Sequence, residues 1–190
     1  KKAYPASWLD LTVKGYKGES PQATISAFIG GNLLKQPEVS LNGFYVLNLN
    51  REGSISVVNP FFSFGGSKLL TLIPLPGKAN DWLMDNQERN LYVSIPQKKQ
   101  IVSINTDSWR VENSVSCPYK PSQLTLQSDN HYLWSCDKES GVTVIDTSSM
   151  QIAAHIPLGK GTHKCLVDEK NETAYVSTSE SGAISFIDIH

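Results

Sequence analysis

The stretch Gly161-Thr162-His163-Lys164-Cys165 carries the side chains best suited to chemistry. On an extended strand alternate side chains share a side, so His163 and Cys165 would face the same way with Lys164 opposite. An imidazole and a thiolate together suit copper, zinc or a haem iron, each of which accepts either ligand. A plainer reading stands beside this one. Cys165 falls where neighbouring segments carry Leu124 and Trp82, which marks an apolar core position, and a buried structural cysteine needs no metal. His163 is therefore the better candidate for a site role, metal ligation included. His131, His155 and His190 read as turn, outer-strand and chain-end residues.

Three lysines form the second candidate group. They lie in the loops PGKANDW (76–82), CPYKPSQ (117–123) and LGKGTHKC (158–165). Lys78 and Lys120 precede Met84 and Leu126 by six residues, and Lys160 precedes Val167 by seven. Loops that enter neighbouring strands at one end would gather these ammonium groups around His163 and favour an anionic ligand or an acidic partner segment. Scattered on separate loops, the same residues are only solvated lysines. Asp81 is the one carboxylate in these loops, and it alone would support metal-dependent lactone hydrolysis. No G-x-S-x-G, H-E-x-x-H, P-loop or paired-glycine fingerprint occurs, so no catalytic residue is assigned.

A repeated unit is what would position these residues. An apolar-aromatic pair opens it, at Phe44-Tyr45-Val46, Leu91-Tyr92-Val93, Tyr132-Leu133-Trp134 and Ala174-Tyr175-Val176. A polar turn follows, then an alternating apolar run that ends in Asn59, Asn105, Asp146 or Asp188, with spacings of 46, 41 and 42 residues. Tyr45, Tyr92, Leu133 and Tyr175 stand 14, 13, 13 and 13 residues before these terminators, which aligns them with one another. Period-two alternation of Val, Ile, Ser and Thr between Gly, Asn and Asp turns specifies half-buried strands. Further apolar runs on either side bring the count to four strands in about 42 residues, the length of a propeller blade. The expectation is an all-β chain built as a β-propeller of four-stranded antiparallel blades. About four blades fall in this chain, at 38–80, 81–121, 122–163 and a partial one at 164–190, so the ring is partial or incomplete.

The segments VTVIDTSSMQIAAHIPLGKG and VDEKNETAYVSTSESGAISFID resemble the YVTN-type bacterial β-propeller repeat. That group is similar to the propellers of quinoprotein amine dehydrogenases and to the haem-domain propellers of nitrite reductases. The likeness runs over residues 38–190, and its motif is structural throughout. It departs in the first blade, where NPFFSFGGSKLL replaces the Asp-Thr turn. The resemblance implies an exported protein, periplasmic or extracellular. It is compatible with a non-catalytic binding or scaffold propeller docking a partner protein or ligand at the channel mouth, which the rigid disc and the lack of catalytic residues favour. Its other implication is a propeller subunit or domain of a periplasmic oxidoreductase dependent on haem, quinone or copper. A protein partner, or the remainder of the ring, would complete an open blade edge.

Composition narrows the classes further. Of 190 residues 39% are hydrophobic and 18% charged, enough for a packed core and too apolar for a disordered chain. The 17 basic and 18 acidic side chains nearly cancel, which removes any broad nucleic-acid-binding field. No run reaches the roughly 20 apolar residues of a membrane span. The chain begins Lys1-Lys2-Ala3, which suggests a processed or partial sequence. Cys117, Cys136 and Cys165 are too scattered for a CxxC site, and no CxxCH motif for covalent c-type haem is present, so the cofactor is left unknown. Cys117 and Cys136 on neighbouring blades would suit a disulfide in an oxidising compartment. Asn171-Glu172-Thr173 is a formal glycosylation sequon, read as coincidental. Residues 1–37 lie outside the repeats and read as a short helix capped at Ser20 and Pro21, or as part of a preceding blade.

Overall fold

A computed structural model describes residues 45–60, 68–168, 170 and 172–189. The segment 1–37 with its expected short helix, the first-blade insertion at 61–67, Asn171 of the sequon and His190 lie outside the described residues.

Strands account for nearly all the described secondary structure, with a 3-10 turn at Pro96–Lys98. The first sheet orders β1 (Val46–Asn50), β2 (Ser54–Val58) and β3 (Leu69–Pro74) side by side. The second runs β4 (Asp81–Met84), β5 (Asn90–Ile95), β6 (Gln100–Asn105), β7 (Arg110–Ser116), with every neighbouring pair antiparallel. The third repeats this with β8 (Pro121–Leu126), β9 (Tyr132–Asp137), β10 (Gly141–Asp146) and β11 (Gln151–Pro157). The fourth holds β12 (His163–Asp168), β13 (Thr173–Thr178) and β14 (Ala183–Asp188). Each sheet is an up-and-down meander of consecutive strands, the arrangement of a propeller blade.

The sheets pack face to face, so their middle strands lose the polar-out alternation of a one-sided sheet. In β5, Leu91, Val93 and Ile95 meet Ile55, Val57 and Ile73 of the first sheet. Between them Tyr92 points the other way and joins Leu124, Leu133 and Ile145 of the third. One sheet further on, Trp134, Cys136, Val142 and Val144 pack against Cys165, Ala174 and Val176 of the fourth. Full burial of each aliphatic side chain contributes about 1.5–3 kcal/mol, so these interfaces are the main hydrophobic source of stability. The outer strands β7 and β11 are mostly exposed.

The residues ending the third strand of a blade have a visible job. Asn105 Oδ1 accepts the N–H groups of Asp107 and Ser108 at 2.9 Å each. Asp146 Oδ1 accepts those of Ser148 and Ser149 at 2.8 and 3.0 Å. Both are Asx-type turns, in which a short polar side chain replaces the strand's lost ladder partners. The chain then turns into the outer strand through Trp109 and Met150, at φ of 53° and 50°.

One alignment by spacing is corrected. The constant interval of 13 matches Leu133 to Tyr92 and Tyr175, whereas the sheets match Trp134 to them. Tyr92, Trp134 and Tyr175 are each third in β5, β9 and β13, and they pair with Ser103, Val144 and Phe186. The turn between β9 and β10 spans 138–140, one residue fewer than the turns at 96–99 and 179–182. That missing residue shifts the count by one and moves the expected aromatic to the other face.

Candidate functional site

The inner strands β4, β8 and β12 run side by side in one compact unit and open at the same end. Their first residues line a cavity of about 320 Å³ formed by Asn80, Asp81, Ser122, Gln123, His163 and Lys164. Each strand therefore supplies one pair at the same height. The pair stands just before Trp82, Leu124 or Cys165, the apolar positions that anchor each strand.

Hydrogen bonds between blades fix this ring of residues. The Leu124 N–H donates to Asp81 Oδ2 at 2.8 Å, joining β4 to β8. Asn80 Nδ2 and the Ser94 hydroxyl both donate to the Ser122 carbonyl, at 3.2 and 2.9 Å. The Thr125 hydroxyl donates to the Cys165 carbonyl at 3.1 Å, joining β8 to β12. A pre-set backbone of this kind holds the cavity's side chains without help from a ligand.

His163 is wholly buried, with 0% exposure, although it lines the cavity. Its Nδ1 lies 3.0 Å from the Asp137 carbonyl, which can only accept, so Nδ1–H is the donor. In the neutral ring this leaves a lone pair on Nε2, and that nitrogen is buried with no hydrogen-bond partner. Gln123 Oε1 is in the same condition. Asp137 itself is 2% exposed, and its carboxylate accepts the N–H groups of Glu139, Ser140 and Gly141. The β9–β10 turn that this carboxylate organises thus also orients the imidazole.

The structure places Lys78, Lys120 and Lys160 as exposed residues of the loops entering β4, β8 and β12. Lys120 pairs with Glu139 at 2.8 Å, and their hydrogen bond raises the lysine's pKa and lowers the glutamate's. Its charge is thus met within the protein. The lysine that lines the cavity is Lys164, which alternation turns away from the buried His163 and Cys165. Spacing analysis did not single out Asn80, Ser122, Gln123 or Lys164. A signal existed, since each lies one or two residues before an aligned apolar position, but polar residues at a strand start read as loop.

Cys165 is a core residue, 5% exposed, and all three cysteines are free thiols. A Cys117–Cys136 disulfide is corrected by the sheet's own alternation. Cys117 packs with Leu124 and Leu133 on one face of the third sheet, and Cys136 packs with Trp134 on the other. Among the described residues no group of three or more His, Cys, Asp or Glu side chains is placed to hold a metal ion, and no helix is long and apolar enough to cross a membrane.

Neither a family model nor a curated protein matches the sequence. Solved structures do match in fold. Hydrazine synthase from Kuenenia stuttgartiensis is 13% identical with a TM-score of 0.62, over 82% of this chain and 49% of that one. The dihydro-heme d1 dehydrogenase NirN, solved in complex with DHE, is 8% identical with a TM-score of 0.63, over 81% of this chain and 36% of that one. Apo AztD from Citrobacter koseri is 17% identical with a TM-score of 0.52, over 64% of this chain and 34% of that one. Hydrazine synthase and NirN are β-propeller proteins, and the four antiparallel sheets of this chain are blades of that fold. The chain spans half or less of the length of each of these neighbours.

Proposed function

We propose that this chain belongs to a non-catalytic binding propeller that docks a small ligand or a segment of a partner protein where β4, β8 and β12 begin. One observation carries the reading. The cavity there is lined entirely by polar or charged residues, and the buried acceptors Gln123 Oε1 and His163 Nε2 stand without partners. Buried polar groups are costly unless satisfied, so such a pair marks a place that a donor fills. Lys78 and Lys160 form the outer rim on this reading and draw in acidic groups, with Lys120 moderated by Glu139. The likeness to exported repeat proteins supports a periplasmic or extracellular location.

The outward face of the fourth sheet supports a partner or further blades. Leu166, Ile184 and Phe186 are 65%, 60% and 71% exposed. The matching aromatics Tyr92 and Trp134 are each covered by the next sheet.

A second reading, a propeller domain of an oxidoreductase, draws on the names of hydrazine synthase and the dehydrogenase NirN. His163 Nε2, buried and without a partner, is of the kind that serves as an axial metal or haem ligand. Among the described residues no group of three or more His, Cys, Asp or Glu side chains is placed to hold a metal ion around it, so the binding reading ranks first.

The test is a thermal-shift screen of small cationic, anionic and zwitterionic compounds against the wild type and a Ser122→Ala, Lys164→Gln variant. The reading expects at least one class to raise the wild-type midpoint and to lose that effect in the variant. No stabilisation by any class would contradict it.

A further inference from the structure

We infer that the cavity at the starts of β4, β8 and β12 takes a small zwitterion of the α-amino-acid type, an assignment that rests on the binding reading above. Three of the lining residues carry acceptors with capacity to spare. Gln123 Oε1 and His163 Nε2 are both buried and unpartnered, and the Asp81 carboxylate uses Oδ2 for the Leu124 N–H. A carboxylate oxygen carries more than one lone-pair site, so Asp81 can accept further donors. Three acceptors on residues of one lining call for a group rich in donors, and an ammonium supplies three hydrogens and a positive charge.

An amine alone does not match the rest of the lining. Lys164 contributes a full positive charge to the same cavity and would repel a simple cation. A simple anion meets the reverse difficulty at Asp81. With one carboxylate and one ammonium among its lining residues the cavity is neutral overall, and a ligand carrying both charges can pair with both. At about 320 Å³ the cavity has room for a small organic molecule.

The orientation of His163 is what makes its contribution specific. The Asp137 carbonyl holds the hydrogen on Nδ1, so Nε2 meets the ligand as an acceptor in the neutral ring. The same second-atom control sets the tautomer of imidazoles that bind metals. The identity of the ligand group, however, follows from Asp81 and Gln123 beside it.

The experiment titrates the 190-residue chain with glycine, methylammonium chloride and sodium acetate, read by calorimetry and by the ¹⁵N resonances of the His163 ring. Glycine is expected to bind at least tenfold more tightly than either of the other two probes. The Nε2 resonance should move with glycine and methylammonium but not with acetate. Lys164→Gln, an exposed position that leaves the core intact, should reduce glycine to the level of methylammonium. Glycine that binds no better than methylammonium, or equally well in Lys164→Gln, overturns the inference. If glycine fails while another class in the thermal-shift screen binds, the ligand assignment falls and the binding reading stands. If no class binds, both fall.

Discussion

The thiols of Cys136 on β9 and Cys165 on β12 meet across the interface between the third and fourth sheets. A hydrogen bond with Cys165 and burial together push the Cys136 thiol far above its ordinary pKa. Cys117 belongs to the preceding interface. These buried, protonated thiols resist oxidation in the closed chain, and diamide added in mild urea that opens the interface locally should link Cys136 to Cys165. The two thiols give up two electrons and two protons, and diamide is reduced to the corresponding hydrazine. Peptide mapping by mass spectrometry should find this link with Cys117 still free. A Cys117–Cys136 link as the main product would mean that the faces of the third sheet are reversed.

Buried thiols also set an alkaline limit. Burial first, then the nearby Asp137 charge, push the Cys117 thiol from 9.0 up to about 12. The folded chain keeps a proton that the unfolded chain releases above pH 9, so stability is fully present below that pH and falls as pH rises toward 12. Burial raises the Tyr92 hydroxyl in the same direction. Urea midpoints measured from pH 7 to 11 should decline only above about 9, and Cys117→Val should flatten the decline. A midpoint independent of pH would show that these thiols are not buried.

Equivalent aromatics should differ in energetic weight according to what covers them. Trp134 is 3% exposed between two sheets, and Trp134→Ala should cost about 3–5 kcal/mol. Tyr175 holds the same strand position but lies on the outward face beside Phe186, with ring centroids 5.3 Å apart. Tyr175→Ala should cost below about 1 kcal/mol in the same denaturant titration. Similar losses at both would show that something in this chain covers the outward face.

These contrasts show why part of the molecule was legible in the sequence. Spacings of 46, 41 and 42 residues between Asn and Asp terminators gave the blades, and Asn105 and Asp146 each make their own local turn. Such information is carried within a few residues. The register of the third blade was not legible in the same way, since one residue lost from the turn at 138–140 hides inside an unchanged interval of 13. The lysine rim was read from loop spacing alone, and the Glu139 partner of Lys120 comes from a turn 19 residues further on. Gln123 and Lys164 are unremarkable in sequence and join Asp81 as a group only when three inner strands lie side by side.

Asp137 links the fold to the site. Asp137→Ala would leave the buried Gly141 N–H and two neighbouring donors without their acceptor, at a cost of about 1–3 kcal/mol. Asp137→Asn keeps one acceptor oxygen and should cost less. Denaturant midpoints of the two variants check the order. An Ala variant as stable as the wild type would mean that water or another group already satisfies the turn.

Whether the starts of β4, β8 and β12 form one binding site is open to direct measurement. Backbone amide shifts recorded while a stabilising ligand from the thermal-shift screen is added locate the contact directly. The prediction is that perturbations gather at Asn80, Asp81, Ser122, Gln123, His163 and Lys164. Perturbations confined to the outer strands β7 and β11, or to the turns at the opposite strand ends, would contradict it.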